Sequence, residues 1–316
     1  MSLAILCSGQ GRQHPDMFAL TGDAPQAASL FTHAATLLDG RDPRELIRSD
    51  DPAALYHDRI GQLLCTLQAL AAAAALGDAL SGRVIVAGYS VGELAAWGVA
   101  GMIDPARTLD LAAFRVEAMD AASQPGDGLL SVRGLSRDAV EGLCARHGAA
   151  IAIINPAGGY ILGGSRPALD AMAIEARAMN ALRVTILPVE VASHTPRLAR
   201  ASALFRKRLS PLVPPVALPA SARLLSGIDG APVMDFAAGL DKLAAQISQP
   251  VRWADCLQAC VEGGARAFLE LGPGSALSEM AASAYPEIPA RSLEDFRTLQ
   301  GARAWVARQA VSGEAH

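Results

Sequence analysis

The sequence predicts an α/β fold with a doubly wound, mostly parallel sheet and an inserted ferredoxin-like (βαββαβ) small domain. Short apolar runs alternate with segments of helical periodicity in both halves of the 316-residue chain, which favours parallel strands covered by helices on both faces. Between residues 126 and 191 the pattern changes to the βαββαβ order. We therefore expect a large α/β domain made of residues 1–125 and 192–316, with residues 126–191 inserted as the small domain.

The large domain begins with a buried strand. Residues 3–7 are apolar and end at the loop Ser-Gly-Gln-Gly of residues 8–11, as expected where a strand gives way to a glycine-containing turn. Helical periodicity then covers residues 25–38 and 60–80, and residues 84–87 form a second short apolar strand. Ligand-binding groups of a doubly wound sheet gather at the carboxyl ends of its strands. We therefore expect functional residues in the loops that follow these strands.

The small domain is predicted from its periodicity and its turn residues. The predicted elements are a strand at 129–133, a helix at 136–147 with Ser136 as its N-cap, a hairpin of strands 150–155 and 160–163, a helix at 166–181 and a strand at 184–189. The hairpin turns at the Pro-Ala-Gly-Gly sequence of residues 156–159. Together these elements form the ferredoxin-like order.

The large domain resumes after the small one. The expected elements are a helix capped by Thr195, opened by Pro196 and running to Leu209, a proline-rich crossover at 212–219, a strand at 267–271 that ends in Gly-Pro-Gly, and a helix after Pro286. The glycine loop after the late strand is a second candidate for the ligand-facing edge of the sheet.

Composition and charge exclude several function classes. Hydrophobic residues make up 51% of the chain and charged residues 18%, which is typical of a folded globular protein. The net charge of −4 argues against a nucleic-acid-binding surface, because phosphate contacts require a basic excess. Five scattered cysteines indicate reduced thiols and a cytoplasmic location, and no histidine pair completes a metal site beside Cys256 and Cys260.

The sequence gives no reason to expect membrane association. The amino terminus lacks the basic and apolar regions of a signal peptide. The alanine-rich run from Leu63 to Leu80 contains Gln68, Gly77 and Asp78. We therefore expect this run to be too short and too polar to cross a bilayer.

A Gly-x-Ser-x-Gly motif at residues 88–92 joins the second predicted strand to a helix that begins at Val91. A sharp turn of this kind lifts the hydroxyl of Ser90 clear of its neighbours, and its glycines let the strand and the helix pass closely. The helix start also supplies free backbone N–H groups for a developing oxyanion. The motif indicates a hydrolase-like nucleophile elbow for acyl transfer or, alternatively, a tight structural turn.

The first candidate for a base beside Ser90 is His194. It lies where a strand gives way to a helix, at the ligand-facing edge of the sheet; the alternative is a histidine that helps to cap that helix. His14 is the second candidate because the loop at residues 8–11 also reaches that edge, although a loop residue before Pro15 is more typical of solvent-facing positions. No obvious acid stands at a strand end to complete a triad, which disfavours a lipase or esterase.

Six motifs, taken in order along the chain, resemble those of the malonyl-CoA:acyl-carrier-protein transacylases. The motifs are Gly9-Gln10-Gly11, Gly88-Tyr-Ser90-Val-Gly92-Glu93, Arg115 within Ala-Phe-Arg-Val-Glu-Ala-Met119, Ser193-His194, Gln246 within Gln-Ile-Ser-Gln-Pro250-Val-Arg-Trp253, and Glu270-Leu-Gly-Pro-Gly274. The resemblance extends from about residue 3 to residue 295. Six ordered motifs are far more specific than the serine motif alone.

Within that family the amino-acid sequence from Gly88 to Gly98 is most similar to that of the transacylase subunit (epsilon, or H) of bacterial malonate decarboxylase. Members that serve fatty-acid synthesis usually have His and Leu where this chain has Tyr89 and Val91, and Pro where it has Ser8. The resemblance therefore implies an [acyl-carrier-protein] S-malonyltransferase and leaves open which carrier protein and pathway it serves.

The resemblance also implies a role for each site residue. In a ping-pong transfer Ser90 acts as the nucleophile and His194 as its base. The backbone N–H groups of Gln10 and Val91 are then expected to hold the oxyanion, and a main-chain carbonyl near Gln246 is expected to orient the histidine in place of a carboxylate.

Two further side chains are assigned to the substrate through the resemblance. Arg115 is expected to bind the free malonyl carboxylate, because a planar guanidinium forms two parallel hydrogen bonds with it. Its helical context alone would indicate an ordinary surface arginine. Asn155, in the hairpin of the small domain, matches a polar position that faces the cleft, and we assign it to CoA or substrate.

The expected partners are malonyl-CoA and an acyl carrier protein, with the malonate decarboxylase carrier subunit favoured. The helix after His194 is basic through Arg197, Arg200, Arg206, Lys207 and Arg208. Acyl carrier proteins are generally acidic, so this helix is either a docking face or an ordinary solvated surface. We expect no metal and no cofactor, because the acceptor thiol belongs to the carrier's prosthetic group.

Three alternative functions remain open. The first is a malonyl transacylase of fatty-acid synthesis. The second is a serine hydrolase or thioesterase, in which water takes the acyl group. The third is a non-catalytic scaffold subunit, which the joint presence of Ser90, His194 and Arg115 disfavours.

Overall fold

The computed structural model describes residues 2–48, 55, 58–215 and 222–311. The strands are β1 (Ser2–Cys7), β2 (Val84–Gly88), β3 (Asp127–Arg133), β4 (Ala150–Asn155), β5 (Gly159–Ser165), β6 (Arg183–Ile186), β7 (Ala222–Leu224), β8 (Ala265–Glu270) and β9 (Ala290–Ser292). The helices are α1 (Ala28–Leu37), α2 (Pro43–Leu46), α3 (Asp58–Leu76), α4 (Val91–Val99), α5 (Pro105–Asp120), α6 (Arg137–His147), α7 (Arg166–Ala178), α8 (Ala199–Leu209), α9 (Phe236–Ala245), α10 (Trp253–Glu262), α11 (Ala276–Ala284) and α12 (Leu299–Val311).

The larger sheet has five strands in the order β7-β2-β1-β8-β9, all parallel. Side chains of β1 alternate between its two faces, as the period of a strand requires. Leu3 and Ile5 belong to the core cluster that contains residues of α3, α4 and α5, whereas Ala4 and Leu6 belong to the cluster formed with α10 and α11. Helices therefore cover both faces, which confirms the predicted α/β class.

The smaller sheet has four strands in the order β4-β5-β3-β6, all antiparallel. Helices α6 and α7 pack against it through a separate core that includes Leu130, Val140 and Met172. This is the expected ferredoxin-like arrangement. Ser136 caps α6, because its hydroxyl accepts a hydrogen bond from the N–H of Ala139 at 3.3 Å.

One short backbone bridge ties the small domain to the large one. The N–H of Ile154, in β4, donates to the carbonyl of Val251 at 2.8 Å, and the N–H of Val251 donates to the carbonyl of Ala152 at 2.9 Å. The segment between α9 and α10 is thereby added to the edge of the small sheet. Since Gln246 lies at the start of that segment, the bridge joins the small domain directly to the candidate site.

Two predicted boundaries in the small domain extend too far. The helix expected to reach residue 181 ends at Ala178, and Asn180 follows with φ 61°, a left-handed conformation that asparagine tolerates after a helix. The strand expected to reach residue 189 ends at Ile186. Pro188 has no N–H to donate, so the ladder cannot continue through it.

The expected cap at Thr195 is wrong. Its hydroxyl donates to the carbonyl of Ala192 at 2.7 Å and makes no cap hydrogen bond. A 3-10 turn, Pro196–Leu198, precedes α8. The side-chain orientation that lets this hydroxyl donate to the earlier carbonyl places its oxygen out of hydrogen-bond range of the N–H groups at the helix start.

Two edge strands of the large sheet, β7 and β9, were not predicted. Each has three residues, which is too short for a periodic signal. The strand expected at 267–271 lies at Ala265–Glu270, and the helix expected after Pro286 is α12. Of the proline-rich crossover, residues 216–219 lie outside the described residues.

The alanine-rich run belongs to a longer helical stretch than the sequence suggested. In the described part of the chain, Asp58–Leu80 is the one stretch long and apolar enough, by length and composition, to cross a membrane. The expectation of insufficient length therefore applies only to residues 63–80. The apolar window of this stretch is 67% buried inside the protein, and α3 contributes Leu63, Leu64 and Leu67 to the main core.

Candidate active site

Ser90 lies in a backbone conformation that most residues avoid. It stands between β2 and α4 with φ 56° and ψ −122°, and a positive φ at a non-glycine residue is typical of strained turns at functional sites. A Cβ on Gly88 would lie 2.1 Å from the carbonyl carbon of Gly92, and a Cβ on Gly92 would lie 2.1 Å from the carbonyl oxygen of Cys7. Both glycines are therefore required, because they let the strand end pack closely on the start of α4 and let α4 pack closely on β1.

His194 is the side chain that contacts this serine. Its Nε2 lies 2.7 Å from the Oγ of Ser90, and its Nδ1 lies 2.6 Å from the carbonyl oxygen of Gln246. Since a carbonyl only accepts, Nδ1 carries the proton and Nε2 is left to accept from the serine hydroxyl. The backbone N–H of His194 also donates to the carbonyl of Ile247 at 2.9 Å, so the ring and its own backbone are held by the same segment.

The imidazole of His194 is neutral at physiological pH. Burial and, to a smaller extent, the nearby charge of Arg115 lower the pKa of His194 to about 3, against the raising effect of the Gln246 carbonyl. A neutral imidazole is the form that accepts a proton from a serine hydroxyl. His14, the second candidate base, lies instead against Glu294, with 2.9 Å between its Nε2 and the carboxylate.

The loop after β1 touches the elbow. A Cβ on Gly9 would lie 2.7 Å from the carbonyl oxygen of Tyr89 and 3.4 Å from the Cβ of Ser90, so the chain at Gln10 runs directly beside the serine. The side chain of Gln10 points toward Asp58, because its Nε2 donates a 3.3 Å hydrogen bond to Oδ1 of Asp58. Val91 is the first residue of α4, where a helix leaves its N–H groups without internal partners.

The buried carboxylate of Glu270 anchors the loop at residues 8–11 through Ser8. The hydroxyl of Ser8 donates to Oε1 of Glu270 at 2.6 Å, and the N–H of Ser278 donates to Oε2 at 2.8 Å. A Cβ on Gly272 would lie 2.0 Å from the Cβ of Ser8, so only glycine allows this close approach. Sequence analysis singled out the motif that begins at Glu270 but did not assign this contact.

Arg115 projects from α5 into the same buried region. It is 2% exposed, and it donates to Oε1 of Gln62 at 2.5 Å and to Oε1 of Gln246 at 3.4 Å. Burial lowers the pKa of Arg115 to about 10, so it remains charged at neutral pH. Within the described part of the chain no ion pair involves Arg115, although the charges of Asp58 and Glu93 raise its pKa from farther away. A buried guanidinium whose direct contacts are neutral amides can still bind an anion.

Gln246 contacts Ser90, His194, Arg115 and Glu93. Besides its carbonyl on His194, its Nε2 donates to the carbonyl of Ser90 at 2.9 Å and to Oε2 of Glu93 at 2.7 Å. Sequence analysis assigned no role to Glu93, which was quoted only as part of the motif, and missed Gln62 altogether. The available signal for Gln62 was its polar side chain in a helix whose buried residues are mostly apolar.

Asn155 lies at the end of β4, on the side of the small domain. Its Oδ1 is buried without a hydrogen-bond partner among the described residues. Its amide lies close enough to Tyr89 to lower the pKa of that phenol, although burial has the larger effect and raises it to about 12. Tyr89 packs edge-on against Trp253, with 5.4 Å between ring centroids. Asn155 therefore stands beside the residue that precedes Ser90.

Most of the basic side chains around α8 are engaged within the protein. Arg197 pairs with Asp127 at 2.6 Å, Arg206 pairs with Asp241, and Arg208 lies over the ring of Phe114, 5.3 Å from its centroid. Arg200 and Lys207 are exposed. They lie seven residues apart, so they share one face of the helix.

The arrangement is suited to transfer of an acyl group that carries a negative charge. It combines a strained serine, a neutral histidine, a loop and a helix start that present backbone N–H groups, and a buried guanidinium. A main-chain carbonyl orients the histidine, as the resemblance implied. In the ranges that the structure describes, no group of three or more His, Cys, Asp or Glu side chains is placed to hold a metal ion.

Comparisons with known proteins agree on one family. The model of the acyl transferase domain matches residues 6–294. A malonyl CoA-acyl carrier protein transacylase of Mycobacterium tuberculosis is 33% identical over 300 residues, which are 92% of this chain and 96% of that protein. A segment of a polyketide synthase of Streptomyces halstedii, 5% of that protein, is 31% identical over 293 residues.

Solved structures show the same fold. The crystal structure of a Mycobacterium tuberculosis protein named MCAT has a TM-score of 0.87 and 30% identity, covering 97% of this chain and 100% of that one. An acyl-carrier-protein S-malonyltransferase from Burkholderia pseudomallei has a TM-score of 0.87 and 28% identity, covering 96% of this chain and 100% of the other.

Proposed function

Because the chain belongs to the acyl transferase domain family and is an acyltransferase, we propose that it transfers a malonyl group from malonyl-CoA to the thiol of an acyl carrier protein. The observation that carries this proposal is Arg115. None of the ion pairs in the described chain includes its buried guanidinium, although the charges of Asp58 and Glu93 act on it from farther away, and Gln246 joins it to the serine and histidine. An acyl group that ends in a carboxylate supplies the missing anion.

The transfer has two half-reactions. His194 takes the hydroxyl proton of Ser90 at Nε2 while the serine oxygen attacks the thioester carbonyl, and the backbone N–H groups of Gln10 and Val91 hold the resulting oxyanion. Collapse of this intermediate breaks the carbon–sulfur bond, and the CoA thiolate takes the proton back from His194. The carrier thiol then gives its proton to the same nitrogen and attacks the malonyl ester. The ester carbon–oxygen bond breaks, and the serine oxygen takes the proton back from His194.

The remaining candidate residues bind and orient the substrate. Two parallel hydrogen bonds from Arg115 hold the malonyl carboxylate. Asn155 accepts a hydrogen bond at its buried Oδ1 from an amide N–H of the pantetheine arm, which malonyl-CoA and the carrier share. Both halves of the reaction therefore use the same polar contact.

The pathway is a finer part of the proposal. The residue types at positions 8, 89 and 91, which are Ser8, Tyr89 and Val91, support a role as the transacylase subunit of malonate decarboxylase. The names of the relatives, malonyl CoA-acyl carrier protein transacylases, support the fatty-acid-synthesis alternative. Transfer rates to the two kinds of carrier protein, measured with one enzyme preparation, decide between them.

Mass spectrometry of the intact protein tests the proposed function. Mixing with malonyl-CoA is expected to add one malonyl group, which Ser90→Ala abolishes and which a carrier thiol removes with gain of the same mass on the carrier. An adduct lost to water at the same rate with and without carrier would indicate a hydrolase. Absence of any adduct on the folded protein would indicate a scaffold subunit.

A further inference from the structure

Glu93 is a buried carboxylate that the proposed reaction does not use. It lies in the first turn of α4, three residues after Ser90, and is 1% exposed. Its Oε2 accepts from Nε2 of Gln246 at 2.7 Å, whereas its Oε1 is buried without a hydrogen-bond partner among the described residues. No ion pair within the described ranges involves Glu93. A carboxylate buried in this way destabilises a fold, which makes a functional role the more economical explanation.

We propose that Glu93 is a positioning residue that sets the orientation of the Gln246 carboxamide and thereby holds Arg115 in place for the malonyl carboxylate. The inference rests on the proposed malonyl transfer at Ser90. In this role Glu93 contributes to selectivity for the acyl group without contacting the substrate.

The orientation of the Gln246 carboxamide follows from whether each of its neighbours donates or accepts a hydrogen bond. An ionised carboxylate is an acceptor only, so in its charged form Glu93 selects the Nε2 end of Gln246. The second N–H of Nε2 donates to the carbonyl of Ser90 at 2.9 Å. With both donors used on one side, Oε1 is turned toward the guanidinium of Arg115, at 3.4 Å from its nearer nitrogen.

The same contacts predict which function depends on Glu93. The imidazole of His194 is oriented by the backbone carbonyl of Gln246, which does not move when the carboxamide rotates. Arg115 depends on the side-chain oxygen. Loss of Glu93 is therefore expected to reduce malonyl transfer selectively and to affect an acyl group without a carboxylate much less.

The protonation state of Glu93 provides an independent readout. Burial raises the pKa of Glu93 to about 7, although the Gly227 backbone N–H, the Gln246 amide, the Arg115 charge and the Ser226 hydroxyl all lower it. The other titratable groups that face it are Arg115 from α5 and Cys256 from α10. Burial raises the pKa of Cys256 well above its usual value, and the pKa of Arg115, lowered to about 10, lies above the tested range. Between pH 5.5 and 8.5, Glu93 is thus the group in this cluster that changes charge.

The test compares kcat/KM for malonyl-CoA with kcat/KM for acetyl-CoA in two variants of the full chain. Glu93→Met keeps the volume and removes the acceptor, and it is expected to lower the malonyl-to-acetyl ratio about tenfold or more. Glu93→Gln keeps an acceptor oxygen and is expected to retain most of the ratio. The matched control is Gln68→Met, which removes another buried carboxamide that accepts from Thr21 at 2.7 Å and should leave the ratio unchanged.

The pH dependence supplies the second measurement. In the wild-type protein the ratio is expected to rise with pH through about 7 and to level off above about pH 8, because the ionised carboxylate is the stronger acceptor. In Glu93→Gln the ratio is expected to be flat. This comparison stays decisive if Glu93→Met fails to fold. Equal losses of malonyl and acetyl transfer, or identical pH profiles in the wild type and Glu93→Gln, would overturn the inference. A wild-type protein that forms no malonyl-serine would instead overturn the proposed function.

Discussion

At the scale of single residues, the candidate site places a neutral base next to a buried cation. His194 and Arg115 are both nearly inaccessible to solvent, and each disfavours a second positive charge nearby. The result is a histidine that is ready to accept a proton and an arginine that is ready to bind an anion. Neither property depends on a carboxylate in contact with the imidazole, since Gln246 supplies a carbonyl instead.

The first prediction concerns the ionisation of His194. Burial and the Arg115 charge lower its pKa from the usual 6.5 to about 3, so the ring is expected to stay neutral throughout pH 5–8. Ring-nitrogen chemical shifts of histidine-labelled protein, assigned with His194→Gln, check this. In Arg115→Ala the midpoint is expected to move upward because one lowering influence is gone. A wild-type midpoint near 6.5 would contradict the buried geometry.

The second prediction concerns Arg115→Ala. Removing the guanidinium leaves the malonyl carboxylate buried and unpaired, which costs roughly 3 kcal/mol or more and lowers kcat/KM for malonyl-CoA about 100-fold. Acetyl transfer should be retained or improved. Arg107→Ala, on the same helix but paired with Asp110 at 3.7 Å near the surface, is the matched control. Equal losses for malonyl-CoA and acetyl-CoA would show that Arg115 acts only on the fold.

At the scale of elements, α8 joins the site to the surface of the protein. It follows the segment that carries His194 and packs against α5 and α9, which carry Arg115 and, at its end, Gln246. Its inner side chains, Ala201, Phe205 and Leu209, are buried, and the opposite face exposes basic residues. One amphipathic helix thus connects the candidate site with a charged face.

The third prediction tests that face as a docking surface for the carrier. Arg200→Glu combined with Lys207→Glu is expected to raise KM for an acidic carrier protein and to leave KM for malonyl-CoA unchanged, because rim charges act on encounter and not on the chemical step. The effect should shrink at high salt. Arg266→Glu, near the amino end of β8 and far from the active edge, is the control. An unchanged KM for the carrier in the double variant would assign α8 to ordinary solvated surface.

At the scale of the whole molecule, two buried carboxylates link folding stability to pH. Burial raises the pKa values of Glu93 and Glu270 from 4.5 to about 7. Between these pH values the folded protein holds protons that the unfolded chain has released. The stabilisation by these protons is complete below about pH 4.5 and is lost as the pH rises through 7.

The fourth prediction follows from this linkage. The double variant Glu93→Gln and Glu270→Gln carries no charge at either position, so its melting temperature relative to the wild type is expected to improve as the pH rises from 5 to 8. Calorimetry of both proteins over that range measures the difference. A difference that stays constant with pH would mean that neither carboxylate titrates with a raised pKa.

Much of the fold follows from local pattern. The strands β1, β2, β3, β4 and β5 and the helices α1, α3, α4 and α6 were predicted because each contains a full apolar period bounded by turn residues. No bounds were predicted for α2 and α5. The edge strands β7 and β9 were not, because three residues pair with the sheet only once their neighbours are in place. Thr195 makes no cap hydrogen bond because its side chain is oriented to donate to the carbonyl of Ala192.

The sequence by itself determined the α/β class and indicated the serine elbow, and its motifs singled out His194 as a candidate base and, through the family resemblance, Arg115 as a candidate substrate ligand. These depend on short motifs whose spacing is read directly along the chain, such as the glycines on either side of Ser90. Only the tertiary structure decided how Arg115 is held and what Glu93 contacts. Arg115 and Gln246 are separated by 131 residues, and Glu93 and Gln246 by 153. Hydrogen bonds across such separations form when packed elements converge, and no local pattern encodes them.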